Sequence, residues 1–290
     1  MIHPTPKEHR CYCTNPDDFH YITYYAWGDP SNPPLIMVHG LSRMGRDFDA
    51  VAAALSDIYY VICPDMVGRG KSDWLPEGQT YTYTQYINDL TTLLTHIRQS
   101  DATAPQAISW LGSSMGGLLG MIMASIPGTL ITKLIINDIG PFITHDALKK
   151  IRSYVGLMPT FQTFDMGEHF VRQIYAPFGK LTDAQWHHMA MHSLHQQSDG
   201  TYRLHYDPRV AHFKLDDDAP DVNLWSCWRN ISCPTLILRG IHSEIFPRDV
   251  AEQMLTSNPY ASLIEIPDAG YAPALMSDFE INSVRNWFFE

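Results

Sequence analysis

Basic residues are scarce: 20 Lys and Arg against 31 Asp and Glu leave a formal charge of −11 over 290 residues. A surface of that sign repels phosphate backbones and anionic headgroups, so neither nucleic acid nor a membrane is expected as a partner. Long apolar runs are also missing. None reaches the roughly 20 residues that a bilayer-spanning helix needs. The opening residues, MIHPTPKEHRCYC, lack the apolar core of a signal peptide, and a soluble, cytoplasmic protein is expected. The five cysteines (Cys11, Cys13, Cys63, Cys227 and Cys233) are an odd, sparse set without paired C-x-x-C ligands. That pattern argues against a disulfide framework or a zinc ribbon and leaves buried thiols. No serine is followed three residues later by lysine, which closes the S-x-x-K route to an activated serine.

What is present is an alternation of short apolar runs with helical patterns. PPLIMVHG precedes RDFDAVAAALS, YYVICPD precedes TQYINDLTTLLTHIRQ, and AISWLGSS precedes MGGLLGMIMASI. A fourth run, ITKLIIND, ends at Asp138; PTLILRG, a helix from Pro247 to about Asn258, SLIEIP and a closing helix follow later. Continuous apolar strands alternating with helices of ten or more residues predict an α/β fold with a mostly parallel central sheet flanked by helices. Between Gly140 and Trp228 the rhythm changes to helical stretches rich in Met, aromatics and His, with no convincing strand. The expected organisation is a core of residues 1–140 and 229–290 with a helical cap inserted over 141–228. The acidic run Asp216 to Asp218 is read as a solvated loop, with a calcium loop as a remote second reading.

Two patterns imitate ligand sites. DMVGRGKS, Asp65 to Ser72, ends like a phosphate-binding G-x-x-x-x-G-K-[ST] loop, but Asp65 replaces the first glycine and DWLPEGQ cannot open the required helix. His188, His192 and His195 lie at i, i+4 and i+7 on one helical face, a spacing open to metal ligation, yet no carboxylate joins them in an H-E-x-x-H arrangement. A polar cap face is the plainer reading, and no metal or cofactor is expected.

WLGSSMGG carries the chemistry. Gly112 to Gly116 spell G-x-S-x-G between an apolar strand and a helix, the context of a nucleophile elbow, and only Ser114 fits the register. The sharp turn holds the nucleophile in strained backbone geometry, so its neighbours must be small, and the Met115 N–H faces the developing oxyanion. A second oxyanion donor is the N–H of Leu41, after the strand ending in His39-Gly40; His39 itself reads as a structural hydrogen-bonding residue. Arg43 is a candidate for binding a substrate carboxylate at the pocket rim, or equally for holding the cap by an ion pair.

With these residues in place the chain resembles the α/β-hydrolase superfamily nearly end to end, and in detail bacterial ester hydrolases with a helical cap. The resemblance rests on the elbow, HGLSRMGRDFD, DMVGRGKSD, INDIGP and CPTLILRGIHSEIFP. It implies an acid at Glu244, after the strand that follows the cap, with Asp138 as the alternative. It implies a histidine base within Gly-His-x-Pro, where this chain has Gly270-Tyr271-Ala272-Pro273. The substitution is serious. An imidazole takes the serine proton and returns it to the leaving group. A phenol with pKa of about 10 is ionised only to about one part in a thousand at neutral pH, and an adjacent carboxylate lowers that fraction further. His242, two residues before Glu244, is the remaining candidate base.

The expected function is therefore hydrolysis of carboxylic esters with an apolar acyl part through an acyl-serine, impaired by Tyr271. A non-catalytic small-molecule-binding protein on a hydrolase scaffold and a C–C bond hydrolase are the alternatives. Tyr271 is expected close to Ser114 and Glu244, with its hydroxyl bonded to the acid or displaced toward the pocket mouth.

Overall fold

The computed structural model describes residues 5–15, 18–100, 107–211 and 221–289. The core elements run β1 (Lys7–Thr14), β2 (Phe19–Trp27), β3 (Pro34–Val38), α1 (Asp49–Leu55), β4 (Tyr60–Pro64), α2 (Tyr83–Ser100), β5 (Ile108–Ser113), α3 (Met115–Ala124) and β6 (Ile131–Asn137). An insertion follows, with β7 (Phe142–Ile143), α4 (His145–Val155), α5 (Phe164–Ile174), α6 (Asp183–Ser193), β8 (Leu194–Gln196), β9 (Tyr202–Leu204) and β10 (Val222–Asn223). The core resumes through α7 (Trp225–Asn230), β11 (Thr235–Gly240), α8 (Arg248–Ser257), β12 (Ala261–Ile266) and α9 (Asp278–Phe289).

Eight strands form one sheet in the order β1-β2-β4-β3-β5-β6-β11-β12. From β4 to β12 every neighbour is parallel; β1 and β2 join antiparallel at one edge. The parallel strands at the centre of the sheet are mainly apolar and buried because both faces are covered. Ile36, Ile62, Trp110 and Ile136 pack to one side with Leu90, Leu118, Trp228 and Met254 of α2, α3, α7 and α8. Their chain neighbours Leu35, Val61, Leu111 and Ile135 pack to the other with Val51, Leu55, Val284 and Phe288 of α1 and α9. That two-residue alternation divides one continuous apolar run between two cores.

The α/β architecture anticipated from the sequence is the one found, with two differences. The hairpin β1–β2 has no counterpart in the sequence reading. The insertion is not strand-free either: β8 pairs with β9 and β7 with β10. The first pair was legible, since Ser198-Asp199-Gly200 joins its strands and Gly200 takes φ +84°, a turn conformation that favours glycine. Asp216 to Asp218 lies outside the described residues. Among the described residues no helix is long and apolar enough to cross a membrane.

Candidate active site

Ser114 sits between β5 and α3 at φ 50° and ψ −113°, a region that L-residues avoid. The turn is possible because its flanks have no side chains. A Cβ on Gly116 would come 1.9 Å from the Val38 carbonyl oxygen, and one on Gly112 would come 2.1 Å from that of Gly116. The Ser114 N–H donates to the Asn137 carbonyl at 2.9 Å, tying the elbow to the end of β6. Asn137 Nδ2 in turn donates to the Ser113 hydroxyl and to the Pro273 carbonyl, at 3.1 and 2.9 Å. Of the four non-glycine residues with positive φ among those described, three (Ser114, Asp138 and Ala272) cluster here. Strain of this kind costs about 1–3 kcal/mol per residue and persists only where surrounding bonds overdetermine the backbone.

Ser114 lies on the wall of a cavity of about 450 Å³ whose floor includes Gly40, Leu41 and Tyr271 and whose roof includes Ile151, Tyr175, Phe178 and Met189 of the insertion. The loop after β3, which carries Leu41, is braced from below. His39 Nε2 accepts from the Met66 N–H at 2.9 Å, and its Nδ1 donates to the Gly40 carbonyl at 2.6 Å. Burial pushes the His39 pKa down to about 3, so the ring stays neutral and structural, as the sequence suggests. A brace the sequence reading missed is Arg69, fully buried. Its Nε donates to the Leu41 carbonyl at 2.8 Å and its Nη1 to the Val67 carbonyl at 2.7 Å, while Nη2 meets Met115 Sδ at 3.7 Å. One guanidinium thus touches both residues expected to supply oxyanion donors. Its position inside the phosphate-loop look-alike was the available signal. That loop has no room for phosphate: the Asp65 carboxylate already accepts from the Lys71 and Gly45 N–H groups, at 2.9 and 2.7 Å.

Tyr271 does reach Ser114. Its hydroxyl and Ser114 Oγ are 2.6 Å apart, and the ring meets Phe178 edge-on at 6.2 Å between centroids. Burial pushes the phenol pKa well above its ordinary value, outweighing the opposite influence of the Ser114 hydrogen bond, so the group is a neutral phenol. The expected bond from this hydroxyl to the acid is absent; the longer phenol spans to the serine instead.

Glu244 is not brought to Tyr271. Its carboxylate is exposed at the cavity mouth and pairs with the Lys150 ammonium of α4, which holds its pKa below the ordinary range. The loop after β11 turns the preceding residue inward: Ser243 Oγ donates to Asp138 Oδ2 at 2.7 Å. Asp138 also accepts from the Gly240 N–H at Oδ1 and the Ala272 N–H at Oδ2, both at 2.9 Å. The buried carboxylate adjoining Tyr271 is therefore Asp138, with its pKa raised to about 6, chiefly by burial. His242 is exposed and makes no hydrogen bond to Ser114 among the described residues. Arg43 is not a free cation at the rim. It is buried, grips both Asp47 oxygens at 2.7 and 2.6 Å, donates to Ser193 Oγ at 3.0 Å and stacks on Tyr175, which fastens the core to the insertion.

The three histidines do not share one helical face as the spacing predicts, because α6 ends at Ser193 and His195 lies on β8. His195 stacks on His205, whereas His188 and His192 meet edge-on and approach Asp49, a carboxylate from a distant segment. Arg46 already bonds both Asp49 oxygens at 2.8 and 2.9 Å, so a guanidinium occupies the place of a cation.

A model of the alpha/beta hydrolase family matches residues 35–280. The 3-hydroxybutyrate-oligomer hydrolase of Cupriavidus necator is 37% identical over 285 residues, covering 95% of each chain. Among solved structures, a putative hydrolase from Rickettsia typhi superposes with a TM-score of 0.88 at 31% identity, covering 99% of each chain. An alpha/beta hydrolase from Novosphingobium aromaticivorans gives a TM-score of 0.83 at 30% identity, covering 97% of each. The elbow, the sheet order and these relationships agree: the chain belongs to the alpha/beta hydrolase family.

Proposed function

We propose that the chain is a serine hydrolase for carboxylic esters in which Tyr271 holds turnover far below what the scaffold supports. The observation that carries this reading is a strained, cavity-facing Ser114 hydrogen-bonded to a neutral phenol. In the reaction Ser114 Oγ attacks the ester carbonyl, the oxyanion is met by the Leu41 and Met115 N–H groups, and the alcohol leaves to give an acyl-serine that water cleaves. Each half-reaction needs a proton taken from the nucleophile and one given to the leaving group. A phenol this reluctant to ionise offers almost no phenolate to take the first proton and gives up its own poorly as the second, so oxyanion stabilisation and positioning are what remain. The cavity lies within the usual size range for small-molecule sites, and its Ile, Phe and Met walls suit an apolar acyl chain. The relative named for 3-hydroxybutyrate oligomers makes short hydroxyacyl esters the first substrates to try.

A fluorophosphonate probe read by intact mass and peptide mapping tests the nucleophile. Slow, stoichiometric labelling confined to Ser114 and abolished in Ser114→Ala is expected; labelling elsewhere refutes the assignment. The rival reading, a binding protein that retains the pocket, is favoured by the Tyr271 hydroxyl that engages the serine. Failure of the probe to label either the chain as it stands or Tyr271→His would count against the hydrolase and in favour of that rival.

We assign the acid role to Asp138 in place of Glu244, because Asp138 is the buried carboxylate bonded to the Tyr271-Ala272 segment. In a Tyr271→His background, Asp138→Asn should remove most of the recovered kcat/KM, by about a hundredfold or more. Glu244→Gln in the same background should change it by less than about threefold. The reverse ranking would restore the acid role to Glu244.

A further inference from the structure

In the β1–β2 register Cys13 stands directly opposite His20, and Cys11 opposite Ile22. Opposed residues of an antiparallel pair project from the same face, as do alternate residues of one strand, so Cys11, Cys13 and His20 all point inward. The element packed against them is α2, which contributes Asp89. Cys13, His20 and Asp89 each bring a ligand atom to within 4.8 Å of the others. They are 0%, 3% and 0% exposed. Cys11, two residues before Cys13 on the same buried strand face, is the next thiol along that strand, and the Cys13 thiol reaches the Asp89 carbonyl at 3.9 Å.

The cluster is not satisfied as it stands. His20 Nε2 meets Asp89 Oδ1 at 3.0 Å, and Gln85 Nε2 donates to the same oxygen at 2.7 Å. Among the described residues, His20 Nδ1 and Asp89 Oδ2 are buried without a hydrogen-bond partner. Leaving buried polar atoms unpaired costs free energy that a native core ordinarily avoids, and the open Asp89 Oδ2, beside the Nε2–Oδ1 contact, points to an additional ligand at the carboxylate.

We propose that Cys13, His20 and Asp89, with Cys11 completing the set, bind a thiophilic divalent cation of the zinc type. Two sulfurs, one imidazole nitrogen and one carboxylate oxygen are donors that zinc accepts in tetrahedral geometry, at about 2.0–2.3 Å. Closing to those distances draws the present ligand atoms together and exchanges the His20–Asp89 hydrogen bond for bonds to the ion. The two thiol protons leave to solvent as the sulfurs bind. The ion fastens the edge hairpin to α2 and is structural, separate from the hydrolytic site. The other histidine–carboxylate group, Asp49 with His188 and His192, differs in that Arg46 already neutralises its carboxylate, and it supplies the control.

The full-length protein, expressed with zinc and freed of loose metal by gel filtration, is assayed for zinc by mass spectrometry. A parallel sample refolded with cobalt is examined for thiolate-to-cobalt charge-transfer absorption. Close to one zinc per chain and a charge-transfer band are expected. Cys13→Ser and Asp89→Asn should each lower retained metal by at least about tenfold, and His192→Ala should leave it unchanged. Asp89→Asn preserves the shape of the side chain, and circular dichroism checks its fold if the serine variant fails to fold. Zinc below about a tenth of an equivalent, a cobalt spectrum without the thiolate band, or loss of metal in His192→Ala alone overturns the proposal.

Discussion

Tyr271→His is expected to raise kcat/KM toward short-chain p-nitrophenyl esters by about a thousandfold, equivalent to roughly 4 kcal/mol of transition-state stabilisation. In serine hydrolases the loss of the triad imidazole costs on the order of a million-fold in turnover, so the expected recovery is partial. Geometry explains the shortfall. The phenol oxygen now touches Ser114 Oγ at 2.6 Å, and an imidazole nitrogen on the same Cβ reaches less far, so either the serine rotates or the 268–276 loop closes inward. Asp138 lies beside that loop to orient the new ring. Burial holds the Asp138 carboxyl up to about 6, so both it and the new imidazole take up protons as pH falls, and the gain should fade on the acid side. The gain should vanish in Ser114→Ala. A change of less than about tenfold, measured side by side with the unaltered chain, would mean that another base operates or that the ring is misplaced.

The second large effect concerns stability. Asp138→Ala should cost about 3–4 kcal/mol in urea unfolding, because it strands three donors: the Gly240 and Ala272 N–H groups and the Ser243 hydroxyl. Asp138 also holds φ 54°, which aspartate and asparagine tolerate better than alanine. Asp138→Asn keeps that preference and one acceptor oxygen, and should lose about half as much. Equal losses in the two variants would show that the carboxylate's bonds, rather than the backbone conformation, carry the whole effect; no loss in either would remove Asp138 as the tie among these loops.

The elbow was legible because its constraint is local: two glycines, a serine and the switch from strand to helix all fall within a few residues. The proximity of Tyr271 to Ser114 was legible from chain order, since successive strands of a parallel sheet deliver their following loops to the same edge. Glu244 and Asp138 could not be separated in that way. Both follow strands that end at this edge, and the choice depends on which residue of a short loop turns inward, here Ser243 toward Asp138. Arg69 was hidden by resemblance to a different motif, and Asp49 beside His188 by a sequence separation no helical period reveals. The β1–β2 hairpin escaped notice because its outer face carries Tyr12, Phe19 and Tyr21 among charges, which blurs the polar–apolar alternation of an edge strand.

The insertion leaves the sheet after β6 and re-enters at β11, and these two strands are parallel neighbours, with Leu134 opposite Thr235. Its two ends are therefore spliced into a seam that the sheet closes without it. A change in its length therefore need not shift the strand register, but it is not detached from the site: the Pro177 and Phe178 carbonyls accept from the Gly270 and Ala274 N–H groups on either side of Tyr271. The roof residues Ile151, Tyr175, Phe178 and Met189 all come from this one segment, whereas Gly40, Leu41, Ser114 and Tyr271 come from the parts on either side of it. A library that varies the roof over one unchanged floor is the direct laboratory test of that division.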